Sequence, residues 1–241
     1  MSGHSKWSTI KRAKAANDAK KGAIFTKISN LITMAVKEKG ADMDSNFTLR
    51  MAVDKAKVAN MPKDNIERAI KRGTGELAGD QIEELYYEGI GPANSQFIVK
   101  CLTDNKNRSA SSIRHIFTKY GGVLSSVMWN FDKLGVISFK KSQLKDLSID
   151  NETLELELID AGAQDIKIEE EDYTIYTQVS DLQNVKKVLE DKDINIEEAD
   201  LNYIAKEEQD INEEDRAKVE NFVNALEDDE DVSDYYTNLK L

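Results

Sequence analysis

The apolar residues of this chain change period part-way along, and that change limits what it can fold into more than any other feature. Ile24, Phe25, Ile28, Leu31, Ile32, Ala35 and Val36 recur at helical spacing and line one face of a helix that Gly40 ends. Leu49, Ala52, Val53, Ala56 and Ala59 repeat the spacing in a second helix. Pro62 opens a third near its first position, with Ile66, Ala69 and Ile70 inward, basic residues in the last turn and Gly73 as the stop. Three amphipathic helices with short connections make a small bundle.

Past Gly73, Gly75 and Gly79, which mark a linker, the period drops to that of strands. Residues 84–88 (ELYYE) and 95–103 (SQFIVKCLT) read as strands, the second apolar on both faces and therefore central. A helix over about 108–120, closed by Gly121 and Gly122, leads to a strand VMWNF. From about residue 134 the order is β-α-β-β-α-β: GVISFK, a helix over 151–161, DIKIEE, YTIYTQV, a helix over 181–191 behind Ser180, and ADLNYIA. That order is ferredoxin-like. A last helix (Val219, Phe222, Val223, Leu226) and a short strand near DYYTNL are too little to close a domain alone. The expected fold is therefore α+β in three domains. Residues 1–75 form a basic arm and helical bundle, 80–132 with 208–241 a discontinuous α/β domain, and 133–207 a ferredoxin-like domain inserted in it.

Charge divides the chain along the same line. The formal net charge is −12, yet residues 1–75 hold 16 Lys+Arg against 7 Asp+Glu, and the remainder 17 against 38. At a Debye length of about 8 Å such halves act as separate electrostatic objects. A basic front on an acidic protein points to a polyanionic partner.

Several chemistries find no support. A single cysteine, Cys101, makes no intrachain disulfide and fits a reducing cytoplasm, and no apolar run approaches the roughly 20 residues that span a bilayer. His4, His115 and that cysteine are too few for a Cys/His zinc site, and no Walker loop, dinucleotide fingerprint or G-x-S-x-G elbow occurs. No cofactor and no catalytic activity are expected. A phosphate-handling enzyme built on carboxylates and His115 is the alternative of another class.

The candidate contacts fall in three patches. The front carries Lys6, Lys11, Arg12, Lys14, Lys20, Lys21 and Lys27, with Trp7 either a base-stacking residue or a hydrophobic staple onto the bundle. The third helix carries Lys63, Arg68, Lys71 and Arg72. The stretch TDNKNRSASSIR puts Lys106 and Arg108 at a helix N-terminus, where amides receive phosphate.

GHSKW at 3–7, IKRAKAANDAKKGAIFTK at 10–27, AVDKAKVANMPKDNIERAIKRGTG at 52–75 and CLTDNKNRS at 101–109 together resemble the YebC/PmpR family over nearly the whole chain. The resemblance implies a cytoplasmic, non-enzymatic, three-domain regulator of gene expression, conventionally a DNA-binding transcriptional one. Other members act at the ribosome and ease elongation through stretches such as proline runs. It adds His4 to the candidates and matches Lys6 and Trp7 to the family's opening motif. The loop GIGPANS lacks the family's usual glycine pair after Pro92. DNA and ribosomal RNA both stand as partners, no membrane is expected, and the chain is taken as a monomer.

Overall fold

A computed structural model describes residues 18–77, 81–169 and 171–240, which form two compact units: one up to Met128 and again from Glu207, the other Trp129–Lys206. Helices and two antiparallel four-stranded sheets make the fold α+β.

In the first unit, helix α1 (Asp18–Lys39) is the post on which α2 (Phe47–Val58) and α3 (Lys63–Gly73) pack. Ile28, Ile32, Val36, Leu49, Val53, Ala56 and Ala69 are buried between them, as the helical spacing requires. Buried Asn46 caps α2 by accepting from the Leu49 amide at 3.0 Å, and its Nδ2 donates to the carbonyls of Ala35 and Gly40. Pro62 is the cap of α3 rather than its first residue.

The stop of α3 also moves. Gly75 carries the left-handed φ of +79°, and Glu76 N–H donates to Lys71 O at 3.0 Å, closing a Schellman turn. Gly73 is helical, and a Cβ there would lie 2.6 Å from Val36 Cβ and 2.8 Å from Thr33 O. Its smallness lets α1 and α3 touch.

Strands β1 (Glu83–Ile90), β2 (Gln96–Thr103), β3 (Val123–Leu124) and β8 (Val232–Thr237) form a sheet in the order β3-β1-β2-β8. β2 is central and buried on both faces. One face carries Phe97, Val99 and Cys101 against Phe117 of α4 (Lys106–Lys119) and Phe222 of α8 (Glu213–Asp228). Phe222 meets Phe97 and Phe117 edge-on at 4.9 Å. The bundle is tied to this sheet, since Asn30 Nδ2 on α1 donates to Leu102 O at 3.0 Å. Ala93 and Asn94, where the resemblance implies a glycine pair, have φ of 58° and 57°. Those are left-handed values, the physical reason glycine suits both positions.

VMWNF is not a strand. Met128–Asn130 is a 3-10 turn, held because Glu88 Oε2 accepts the amides of Val127 at 2.8 Å and Met128 at 2.7 Å. The second unit then runs β4 (Phe131–Lys140), α5 (Ser142–Asp146), α6 (Asn151–Asp160), β5 (Ala163–Ile168), β6 (Asp172–Thr177), α7 (Leu182–Glu190) and β7 (Ile196–Ala205). Its antiparallel sheet has the order β5-β6-β4-β7, the ferredoxin-like arrangement, with α5 as an addition the sequence pattern does not announce.

Candidate nucleic-acid interface

Because α3 turns Ile66, Ala69 and Ile70 toward the bundle, its cations are left on the outer side. Lys63 is exposed to solvent and holds only a loose pair with Glu67 at 3.6 Å, an interaction worth about 0.3–0.5 kcal/mol on an exposed helix face. Arg68 and Lys71 are exposed and make no side-chain hydrogen bond or ion pair among the described residues. Arg72 is half-buried, with a guanidinium nitrogen 3.8 Å from Asp104 Oδ2.

Between α1 and α3 runs a groove of about 430 Å³. One stripe of α1 lines it (Phe25, Ser29, Asn30, Thr33) and one of α3 (Asn65, Arg68, Ala69, Arg72). Burial sets the layout: Asn30, Thr33 and Ala69 are the floor, and Arg68 and Arg72 are the rim. Thr33 Oγ1 donates to Ala69 O at 3.2 Å and ties the two helices together.

Three residues expected at the interface are instead used by the fold. Lys27 is buried, and its ammonium donates to Glu227 O in the last turn of α8, where a carbonyl lacks an intrahelical partner. Burial pushes the Lys27 ammonium below its ordinary value, against the pull of Asp229, Glu227 and Asp228. Arg108 makes two hydrogen bonds to buried Asp231, Nε to Oδ2 at 3.1 Å and a terminal nitrogen to Oδ1 at 2.6 Å, and a third to Asp104 at 3.0 Å. Those carboxylates, Asp231 first, hold its guanidinium above the usual arginine value. Lys106 pairs with Glu83 at 2.7 Å. The amide of Arg108 is already taken by the Asn105 side chain at 3.0 Å, so it does not await a phosphate.

His4, Lys6, Trp7, Lys11, Arg12 and Lys14 lie outside the described residues, and Lys20 and Lys21 are placed only as backbone in the first turn of α1. His115 stands exposed on α4. Cys101 is a core residue whose thiol burial pushes up to about 12. No helix among the described residues is long and apolar enough to cross a membrane.

The profile of the TACO1/YebC protein N-terminal domain matches residues 5–76, and that of the TACO1/YebC second and third domain matches residues 82–239. The chain belongs to the TACO1/YebC family. Among its relatives, a probable transcriptional regulatory protein of Thermoanaerobacter pseudethanolicus is 47% identical, covering 100% of this chain and 98% of the relative. One of Bacillus licheniformis is 45% identical over 99% and 100%. The crystal structure of a conserved hypothetical protein from Aquifex aeolicus superposes with a TM-score of 0.76 at 39% identity, over 98% of this chain and 96% of that one. Within this TACO1/YebC chain, sequence reasoning missed Ser29, Asn30 and Asn65. They belong to two helices and meet only when α3 packs on α1, so no linear motif marks them.

Proposed function

We propose that this TACO1/YebC chain is a non-enzymatic, nucleic-acid-binding regulator of gene expression that grips the phosphate backbone with its basic front and the outer edge of α3. The observation that carries it is the pair Arg68 and Lys71, exposed and without partners among the described residues, in a chain whose first 75 residues have a net charge of about +9. Each phosphate so neutralised releases condensed counterion and steepens the fall of log affinity with log salt by about 0.9 on duplex DNA. The relatives' names, probable transcriptional regulatory protein, support regulation as the outcome.

A second reading, binding to ribosomal RNA during translation, is favoured by how the helices pack. α2 and α3 each rest on α1 and scarcely on one another, which is not the mutual packing of a helix-turn-helix pair that reads the major groove. A convex basic helix edge suits backbone and shape recognition of folded RNA. Ultraviolet crosslinking in cells followed by sequencing of the attached nucleic acid tests both. Promoter DNA is the expected catch for the transcriptional reading and ribosomal RNA for the translational one. Recovery of no nucleic acid above background overturns the proposal.

A further inference from the structure

The groove between α1 and α3 holds polar atoms that the fold leaves unused. Asn30 is only 6% exposed, and its Nδ2 is spent on Leu102 O. Its Oδ1 accepts no hydrogen bond among the described residues, and it is not among the side-chain atoms sealed from solvent. It therefore opens into the groove it lines. Ser29, Asn65 and Arg68 line the same groove, and their side chains likewise make no hydrogen bond or ion pair among the described residues. Three polar side chains without a partner among the described residues and the free Oδ1 of the almost wholly buried Asn30 thus face one concavity, where only water or a ligand can satisfy them.

The lining is mixed in a telling way. Phe25 and Leu77 supply apolar surface, the amides of Asn30 and Asn65 supply hydrogen-bonding edges, and Arg68 and Arg72 supply positive charge at the rim only. A free phosphate would want cations at the floor. A purely apolar side chain would leave the amides unpaired. A planar, polar heterocycle with an anionic linkage on one side satisfies all three kinds of surface at once.

We infer that the groove is a subsite for one unpaired nucleotide of a polynucleotide strand: its base enters beside Phe25, and its phosphate stays at the rim with Arg68 and Arg72. Asn30 Oδ1 accepts an N–H from the edge of the base, and Asn65 and Ser29 complete the hydrogen bonding. Bases splayed from a strand are recognised in this way, by stacking on aromatic or guanidinium planes and by edge contacts. The inference deepens the proposed function and rests on it, because the strand reaches the groove along the outer edge of α3. Arg72 can turn to the phosphate because its tie to Asp104 is long, at 3.8 Å.

The test uses the full chain and four fluorescein-labelled probes, each 12 nucleotides long: a single-stranded RNA, the same sequence as single-stranded DNA, the single strand with abasic positions, and the paired duplex. Two uncharged variants alter the groove while keeping every lysine and arginine: Ser29→Phe fills it, and Asn65→Leu removes one edge contact. The wild-type chain is expected to bind a base-bearing single strand roughly tenfold more tightly than the abasic strand or the duplex, the worth of one stacked base. Ser29→Phe should reduce that advantage to about twofold or less, and Asn65→Leu should reduce it in part, with thermal unfolding midpoints and salt slopes as in the wild type. The better of the RNA and DNA strands identifies the polymer. If the wild type binds all probes alike with normal salt dependence, or if both variants keep the full advantage, the groove is not a nucleotide subsite and the backbone grip stands without it. If no probe binds in dilute buffer, the proposed function falls and takes the subsite with it.

Discussion

The outer edge of α3 and the start of α4 carry the same kinds of charge and use them in opposite ways. On α3, Arg68 and Lys71 face solvent with no internal partner among the described residues. At α4, Arg108 and Lys106 are already engaged, by Asp231 and Asp104 and by Glu83. The cause is topological. β8 enters the sheet beside β2 with Asp231 at its head, buried to 4% exposure, and a buried carboxylate demands a cation. The helix that follows β2 is the nearest element able to supply one. Among the described residues the only carboxylates that pair with the cations of α3 are Glu67, loosely with Lys63, and Asp104, 3.8 Å from Arg72, so the charge of Arg68 and Lys71 is left over. A basic residue in a sequence is thus a candidate contact only after the acids that the fold brings against it have been subtracted.

The strongest way to break this comparison is to reverse the unused pair. Arg68→Glu with Lys71→Glu should lower affinity for a polynucleotide about a hundredfold at low salt and flatten the slope of log affinity against log salt by about 2. Thermal stability should change by no more than about 0.5 kcal/mol, since neither side chain holds another. Fluorescence anisotropy across a salt series reads the first, and urea unfolding the second. Unchanged affinity would put the grip elsewhere.

Arg108→Met should do the converse. Methionine keeps the packing of the stem and leaves Asp231 without its two hydrogen bonds, at a cost of about 2 kcal/mol in the unfolding free energy read by urea titration. The folded variant should bind polynucleotide as the wild type does. A loss of affinity with no loss of stability would reassign Arg108 to the interface.

What the sequence revealed depended on how local each cause was. The α1–α3 bundle follows from apolar spacing within single helices, and the central position of β2 follows from its apolar residues on both faces. The strand order of the second unit is legible because each helix and strand keeps its own period. The failures have distant causes. VMWNF has the composition of a strand, but Glu88, 39 residues from Val127, pins its start as a turn. Lys27 looks like one more cation of the basic arm until α8 arrives from 200 residues away to bury it. Gly73 reads as a helix stop, although its use is to let α1 approach. At the candidate interface, the α3 cations were legible as charge on an amphipathic helix. The groove was not, because its residues come from two helices and nothing local distinguishes a buried amide with a free oxygen from one that is fully paired.

Lys106 is where the subtraction of internal partners is weakest. Its pair with Glu83 is short, at 2.7 Å, but both side chains are about half exposed, so the pair contributes on the order of 0.5 kcal/mol at most. A phosphate could compete for that ammonium. Doing so would leave the Glu83 carboxylate unneutralised beside the incoming anion, and that repulsion offsets most of the gain. Lys106→Ala should therefore shift stability by about 0.5 kcal/mol or less and affinity by less than about twofold, with the salt slope unchanged. A slope reduced by about 1 would mean that lysine counts as a phosphate contact despite its partner. In that case only partners as buried as Asp231, and not exposed ones such as Glu83, remove a cation from the interface.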